Sequence, residues 1–208
     1  MRNIIRYLVV SSFPFFDKMR IISGAARGRR LVTLSGQHTR PTADRVKEAI
    51  FSTISAYLPE AIVLDAFAGS AALGLEALSR GAEQAFFIEK HRAAAQICAK
   101  NIQQCGLAGA KLMQGDVLHL LPRLKEQQPS LRFDLVFSDP PYAAGLSSPL
   151  LGRLFQLDLV DEDSLAVVET AAEDPFQPPA PWKTQKKSTY GSTAVHYCRI
   201  SGGNENGE

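Results

Sequence analysis

From residue 61 onward, short apolar runs alternate with longer stretches in which apolar residues recur every three or four positions. AIVLD (61–65), QAFFIE (84–89), FDLVFS (133–138) and LAVVETA (165–171) have the length and composition of strands, and KLMQGD (111–116) is a weaker example. Between them, AALGLEALSR closed by Gly81, HRAAAQICAKNIQQC closed by Gly106, VLHLLPRLKE and a segment near 150–157 predict helices. Strands of the fully buried kind alternating with helices predict an α/β fold, a mostly parallel sheet covered on both faces. KKSTY (186–190) and TAVHYCRI (193–200) predict an antiparallel hairpin at its edge.

The rhythm differs before residue 61. RIISGAARGRRLVTL (20–34) reads as two short strands around Gly24 and Gly28. RPTADRVKEAIFSTISAYL (40–58) reads as a helix with Thr42 as N-cap and Pro59 as its stop, with Val46, Ala49, Ile50, Ile54, Tyr57 and Leu58 on one face. The apolar opening of the chain is interrupted by Ser11, Ser12 and Pro14, lacks a small-residue cleavage site and is too short to span a bilayer. Because MRIISG follows at once, translation is expected to start at Met19, or the opening to be a loosely docked addition. The division expected is an extension at 1–18, a basic hairpin and helix at 19–60, a core at 61–200 and a disordered tail at 201–208.

Composition adds little to this picture, but charge adds more. With 208 residues, 45% hydrophobic and 21% charged, the chain has the material for one good core. Cys98, Cys105 and Cys198 fit neither a disulfide framework nor metal-ligand spacing, so a reducing, cytoplasmic setting is expected, with no metal. His38, His91, His119 and His196 are scattered and receive no chemistry. Up to Lys47 there are ten basic residues against Asp17 and Asp44, a surplus of +8 in a chain of net +2, which leaves −6 for the remainder. A basic arm on an acidic body suits a polyanionic partner, and the exposed-looking arginines 27, 29 and 30 are its candidate grip.

The chemistry collects at strand ends, where parallel sheets bind ligands. LDAFAGSAALG (64–74) ends a strand in Asp65 and turns through Gly69, Ser70 and Ala71 into a helix, allowing a ligand close to the backbone. The next strand ends in Glu89, placed for the hydroxyls of a ribose, and the one after in Gly115-Asp116, able to take an adenine edge. Together these predict a nucleoside pocket. A dinucleotide or S-adenosylmethionine could fill it; the run Gly69-Ser-Ala71-Ala-Leu-Gly74 lacks the middle glycine of a dinucleotide fingerprint, and the next strand end decides between the two.

Asp139-Pro140-Pro141-Tyr142 ends the following strand. An exocyclic amine on a nucleobase is a poor nucleophile, because its lone pair is delocalised into the ring. Hydrogen bonds accepted from its NH2 group, by Asp139 and the Pro140 carbonyl, would aim that lone pair at a methyl donor. The prolines preorganise those acceptors, and Tyr142 offers a ring for the unstacked base. An adenine-N6 methyltransferase and a non-catalytic RNA-binding module are the rivals that these residues leave open.

MRIISGAARGRRL, RPTADRVKEAIF, VLDAFAGSAALGLEALSRGA, FIEK (87–90) and SDPPYAAGL together resemble the RsmD family, over about residues 19 to 200. The resemblance implies a Rossmann-like class I methyltransferase fold with seven strands and an N-terminal β-hairpin, S-adenosylmethionine as donor and S-adenosylhomocysteine as product. It also implies methylation of a guanine N2 in small-subunit (16S) ribosomal RNA, alone or within a subunit or assembly intermediate; a monomer is expected. Asp65, Gly69 and Ser70 would line the methionine part of the donor, Glu89 the ribose and Asp116 the adenine. Asp139, Pro140, Pro141 and Tyr142 would hold the guanine, and Arg40, Thr42 and Arg45 would help close the site or hold phosphate. Ala71 departs from the family's Gly-Ser-Gly, and is expected to be accommodated at negative φ in the first helical turn.

Overall fold

The computed structural model describes residues 19–33, 41–140 and 145–201, with the side chains of 41–43 also left aside. The extension 1–18, Arg40, Pro141, Tyr142 and all of the tail except Ser201 therefore lie outside the described residues.

One seven-stranded sheet organises the chain, in the order β3-β2-β1-β4-β5-β7-β6. The strands are β1 (Ile62–Asp65), β2 (Gln84–Glu89), β3 (Ala110–Gln114), β4 (Leu135–Ser138), β5 (Leu165–Ala171), β6 (Trp182–Tyr190) and β7 (Thr193–Ile200). The first five run parallel, and β7 lies antiparallel to both β5 and β6. Since each parallel connection needs a crossover, the helices α2 (Ala72–Ser79), α3 (Arg92–Cys105), α4 (Val117–Gln127) and α5 (Ser147–Gln156) fall between successive strands.

The period of two along each strand divides the core between the faces. Val63, Ala85, Phe87, Leu135, Phe137 and Val167 pack under α2, α3 and the N-terminal helix α1 (Pro41–Thr53), which contributes Val46, Ile50, Phe51 and Ile54. Leu64, Phe86, Ile88, Val136, Ala166 and Val168 pack on the other face under α4 and α5, through Leu121, Leu124, Leu150 and Leu154.

Three expectations shift at the N-terminal side. The hairpin is narrower than its apolar pattern implied: a single antiparallel bridge joins Arg20 and Arg30, and residues 23–28 form turns. Much of its backbone is held by α2 instead. Ile22 and Ser23 donate their amides to the Glu76 carboxylate (2.7 and 3.0 Å), Ala25 donates to the Ser79 carbonyl and Ala26 to the Ser79 hydroxyl. Helix α1 starts at Pro41, a favoured first position because proline's missing N–H has no partner there in any case, so Thr42 lies inside the first turn rather than at the N-cap. It also ends at Thr53, short of Pro59, and gives way to a 3-10 turn at Ser55–Tyr57.

Candidate active site

The carboxyl ends of β2, β1, β4 and β5 bring four acids to one face of the sheet. Asp65 pairs in register with Phe87 on one side and Phe137 on the other, so Glu89 and Asp139 stand two residues further on, flanking it. Ser138 pairs with Val168, and continuing that register sets Glu169 beside Asp139. All four lie an even number of residues from Val63, Phe87, Phe137 or Val167, so their side chains share the face covered by α1, α2 and α3.

Asp65 is 3% exposed and accepts a hydrogen bond from the Gly74 amide (2.9 Å), inside the first turn of α2. It thereby satisfies one of the free donors of a helix whose own N-cap, Ala71, supplies no side-chain bond. Burial pushes its carboxyl up to about 7; the Gly74 bond opposes that, and the charges of Asp139 and Glu89 add to it. Asp65 thus shapes the loop from beneath. Gly74 itself is required by packing, because a Cβ there would lie 2.3 Å from the Phe87 ring.

Glu89 also works on this loop. One carboxylate oxygen accepts the Gly69 amide (2.9 Å) and the other the His91 amide (2.7 Å), binding the turn after β1 to the end of β2. Each oxygen keeps a further lone pair for a ligand hydroxyl. Gly69 sits at φ +51°, a left-handed conformation that glycine adopts without cost.

Ala71 corrects an expectation. Its φ is +67°, with ψ at 21°, so it occupies the left-handed region as the N-cap of α2 rather than the negative φ of a helical turn. This is the conformation for which the family's glycine is suited, and alanine holds it at a cost of about 1–2 kcal/mol. The surrounding bonds determine it: the Ala71 amide reaches the Ala68 carbonyl (2.6 Å) and the Ala71 carbonyl accepts from Leu75 (3.0 Å).

The next strand end differs. Asp116 caps α4, one oxygen accepting the Leu118 amide (3.0 Å) while the other pairs with Lys90 Nζ (3.1 Å). The Lys90 hydrogen bond holds its carboxyl below the ordinary range, so it stands as a charged acceptor at the edge of the site.

Asp139 and Pro140 follow β4 directly, and the Ser138 and Ser147 hydroxyls, 2.9 Å apart in the buried interior, tie the two ends of the loop together. Asp139 still meets water although protein surrounds much of it, as befits a group in an open cleft. Desolvation by the cleft pushes it up, to about 6.

The predicted arginines do not join this cluster. Arg27, Arg29 and Arg30 are exposed, but the turn that carries them sits against Ser79 and against Gln104, at the last turns of α2 and α3. That is the far end of α2 from the site, a separation of about 12 Å for eight residues. Arg45 is exposed on α1 and makes no ion pair among the described residues.

Three participants escaped the sequence reading. Glu169 lies in LAVVETA, where its signal is a lone acid in a buried strand, one residue past the last pairing with β4. Asn101 is fully buried on the apolar face of α3 and joins the arm to the loop, exchanging hydrogen bonds with both backbone groups of Val32 (2.8 and 2.9 Å) and donating to the Ser70 carbonyl (2.8 Å). Ser70 donates its hydroxyl to the Met19 sulfur. Glu76, fully buried in α2, also pairs with Lys47 (3.3 Å) and Arg80 (2.7 Å).

A parallel five-strand core with an antiparallel strand inserted beside its edge, and acids at successive strand ends, defines a class I methyltransferase-type α/β protein. The family described as Conserved hypothetical protein 95 matches residues 19–199. The ribosomal RNA small subunit methyltransferase D of Haemophilus influenzae is 36% identical over 176 residues, spanning 84% of this chain and 90% of that protein. Its counterpart from Escherichia coli K12 is 34% identical, spanning 85% and 87%. Among solved structures, the yhhF protein of Escherichia coli superposes with a TM-score of 0.77 at 31% identity, covering 88% of this chain and 98% of its own. The chain belongs to this family, the RsmD methyltransferases.

Proposed function

We propose that the protein transfers the methyl group of S-adenosylmethionine to the exocyclic N2 amine of a guanine in small-subunit (16S) ribosomal RNA. The observation that carries this reading is the placement of the Asp139-Pro140 acceptors on the same rim as the Gly69–Glu89 loop, in a chain of the RsmD family. A substrate within a small subunit or an assembly intermediate accords with the basic arm, and puts the enzyme in the cytoplasm.

The residues present fit the donor. Gly69 leaves the backbone of the loop uncovered, Glu89 retains acceptor capacity at ribose height, and Asp116 stands charged beyond it. Gly69 and Ser70 would hold the methionine part, with Asp65 acting through the Gly74 amide, Glu89 the ribose and Asp116 the adenine. S-adenosylmethionine supplies an electrophilic methyl on a positively charged sulfur, a good leaving group. The work of the chain is to place the amine. Asp139 and the Pro140 carbonyl accept from the NH2 group and turn its lone pair outward, while Pro141 and Tyr142 complete the base pocket. Arg27, Arg29 and Arg30 reach phosphates away from the target nucleotide, and Arg40, Thr42 and Arg45 are carried over from the family's motif as further RNA contacts.

Incubation with labelled S-adenosylmethionine and, separately, ribosomal RNA, unmethylated small subunits and duplex DNA, followed by nucleoside analysis, tests the proposal. N2-methylguanosine from the ribosomal samples is expected. N6-methyladenine would keep the fold and remove the guanine assignment.

A further inference from the structure

The roles proposed above leave Glu169 unused. Its strand is apolar on both faces, with Leu165, Ala166, Val167 and Val168 all buried, and the acid appears where the register runs out beside Asp139. Neighbouring strands lie about 4.8 Å apart, so two carboxyls at one height on one face are close enough to interact strongly. The groups facing Glu169 are Asp139 beyond β4, Asp65 on β1 and Tyr197 on β7, with Lys186 of β6 drawn over the Tyr197 ring (5.4 Å) and donating to Thr53. Two acids and a phenol surround it without a directly paired cation among the described residues, so two full negative charges at this spot are strongly disfavoured.

We infer that Asp139 and Glu169 form a proton-sharing pair in which Glu169 carries the proton and Asp139 remains the ionised acceptor for the substrate amine. The shifts agree in direction. Burial, then the charges of Asp139 and Asp65, push the Glu169 carboxyl up, and burial raises Asp139 as well; of the two, Asp139 is the one open to water, so the charge rests there and the shared proton on Glu169. This deepens the methyltransferase reading and rests on it.

The division of labour follows from the balance of the reaction. As the amine nitrogen bonds to the methyl carbon, the carbon–sulfur electron pair goes to sulfur, and one N–H proton must leave. Asp139 takes that proton and returns it to water, since its own affinity lies below neutrality. An ionised Glu169 would raise that affinity and push the Asp139 carboxylate out of line with the amine. Glu169 is thus a positioning residue acting through Asp139. The pair should give activity that fails below about pH 6, where Asp139 protonates, and again above about pH 8, where Glu169 loses its proton and repels its partner.

Glu169→Gln separates this from a structural role, because glutamine keeps the shape of the neutral carboxyl and cannot ionise. The expected result is near-native kcat at neutral pH with the alkaline fall removed, whereas Glu169→Ala loses about tenfold or more in kcat with KM for the methyl donor little changed. Wild-type turnover in the same assay checks the underlying methyltransferase reading separately. A second measurement needs no turnover: carbon-13 NMR titration of the side-chain carboxyls in the ligand-free protein should show Glu169 titrating well above an ordinary glutamate, and falling in Asp139→Asn. An alkaline limb that persists in Glu169→Gln, equal losses in Gln and Ala variants that melt like wild type, or a Glu169 carboxyl indifferent to Asp139→Asn would overturn the inference.

Discussion

Asp139 sits where a strand ends, beside a loop, and the chemistry proposed for it depends on its being ionised and aimed. Asp139→Asn retains the size of the side chain but replaces one acceptor oxygen with a donor. It should lower kcat by about 10²- to 10³-fold, the range for removing one preorganised hydrogen-bonding group, while leaving the dissociation constant for S-adenosylmethionine within about twofold. Equilibrium binding beside single-turnover kinetics would check both halves, and an equal loss of donor affinity would mean that Asp139 builds the cofactor loop instead. Ala71 offers an opposite change. Its φ of +67° strains a side chain that glycine would not carry, so Ala71→Gly should raise stability by about 1 kcal/mol, less the extra chain entropy of glycine. Thermal melting should rise by about 2–4 °C for a chain of this length. A fall would show that the Ala71 methyl, fully buried, contributes more by packing than its conformation costs.

At the scale of elements, the strands β1, β2, β4 and β5 were legible because buried parallel strands are written as continuous apolar runs: QAFFIE and LAVVETA coincide with β2 and β5 end to end. Helix α3 was equally plain, closed by Gly106 in the left-handed conformation. What the pattern concealed lies where a polar residue replaces a local bond with a distant one. RIISGAARGRRL alternates like a hairpin, yet the amides of Ile22, Ser23, Ala25 and Ala26 are taken by Glu76 and Ser79, more than fifty positions away, and nothing in the local sequence announces such partners. Glu169 and Asn101 were hidden likewise, each a single polar residue in an element read for its apolar face. The clamp makes its own prediction. Burial pushes the Lys47 ammonium down and Glu76 opposes that shift, so removing the Glu76 charge leaves a buried lysine without its counter-ion. Glu76→Gln should destabilise the fold by about 3–5 kcal/mol, and hydrogen exchange at the Ile22 and Ser23 amides should accelerate ahead of the β-sheet core. Uniform acceleration would mean that arm and sheet open as one unit.

Across the whole molecule, the arm divides its duties between two ends. Met19 and Val32 are joined to the loop after β1 through Ser70 and Asn101, while Arg27, Arg29 and Arg30 project near the last turns of α2 and α3. A substrate touching both the Asp139 pocket and these arginines must extend about 12 Å beyond its reacting base, the length of α2, and so is a stretch of RNA rather than an isolated nucleotide. The affinity supplied by the arginines is then electrostatic and largely independent of sequence. Each phosphate contact releases counterions, so replacing all three by alanine should flatten the dependence of log K on log salt by about 2. Donor binding should stay unchanged, because no arginine of the three lies at the strand ends. Filter binding of a ribosomal RNA fragment over a salt series, beside calorimetry with S-adenosylmethionine, reads both terms. A reduced slope with intact donor affinity would identify the turn at 24–30 as the outer RNA contact. A slope equal to wild type would move the RNA track away from this turn, toward Arg45 and the start of α1, and the basic surplus of the arm would then serve its docking on the acidic body instead.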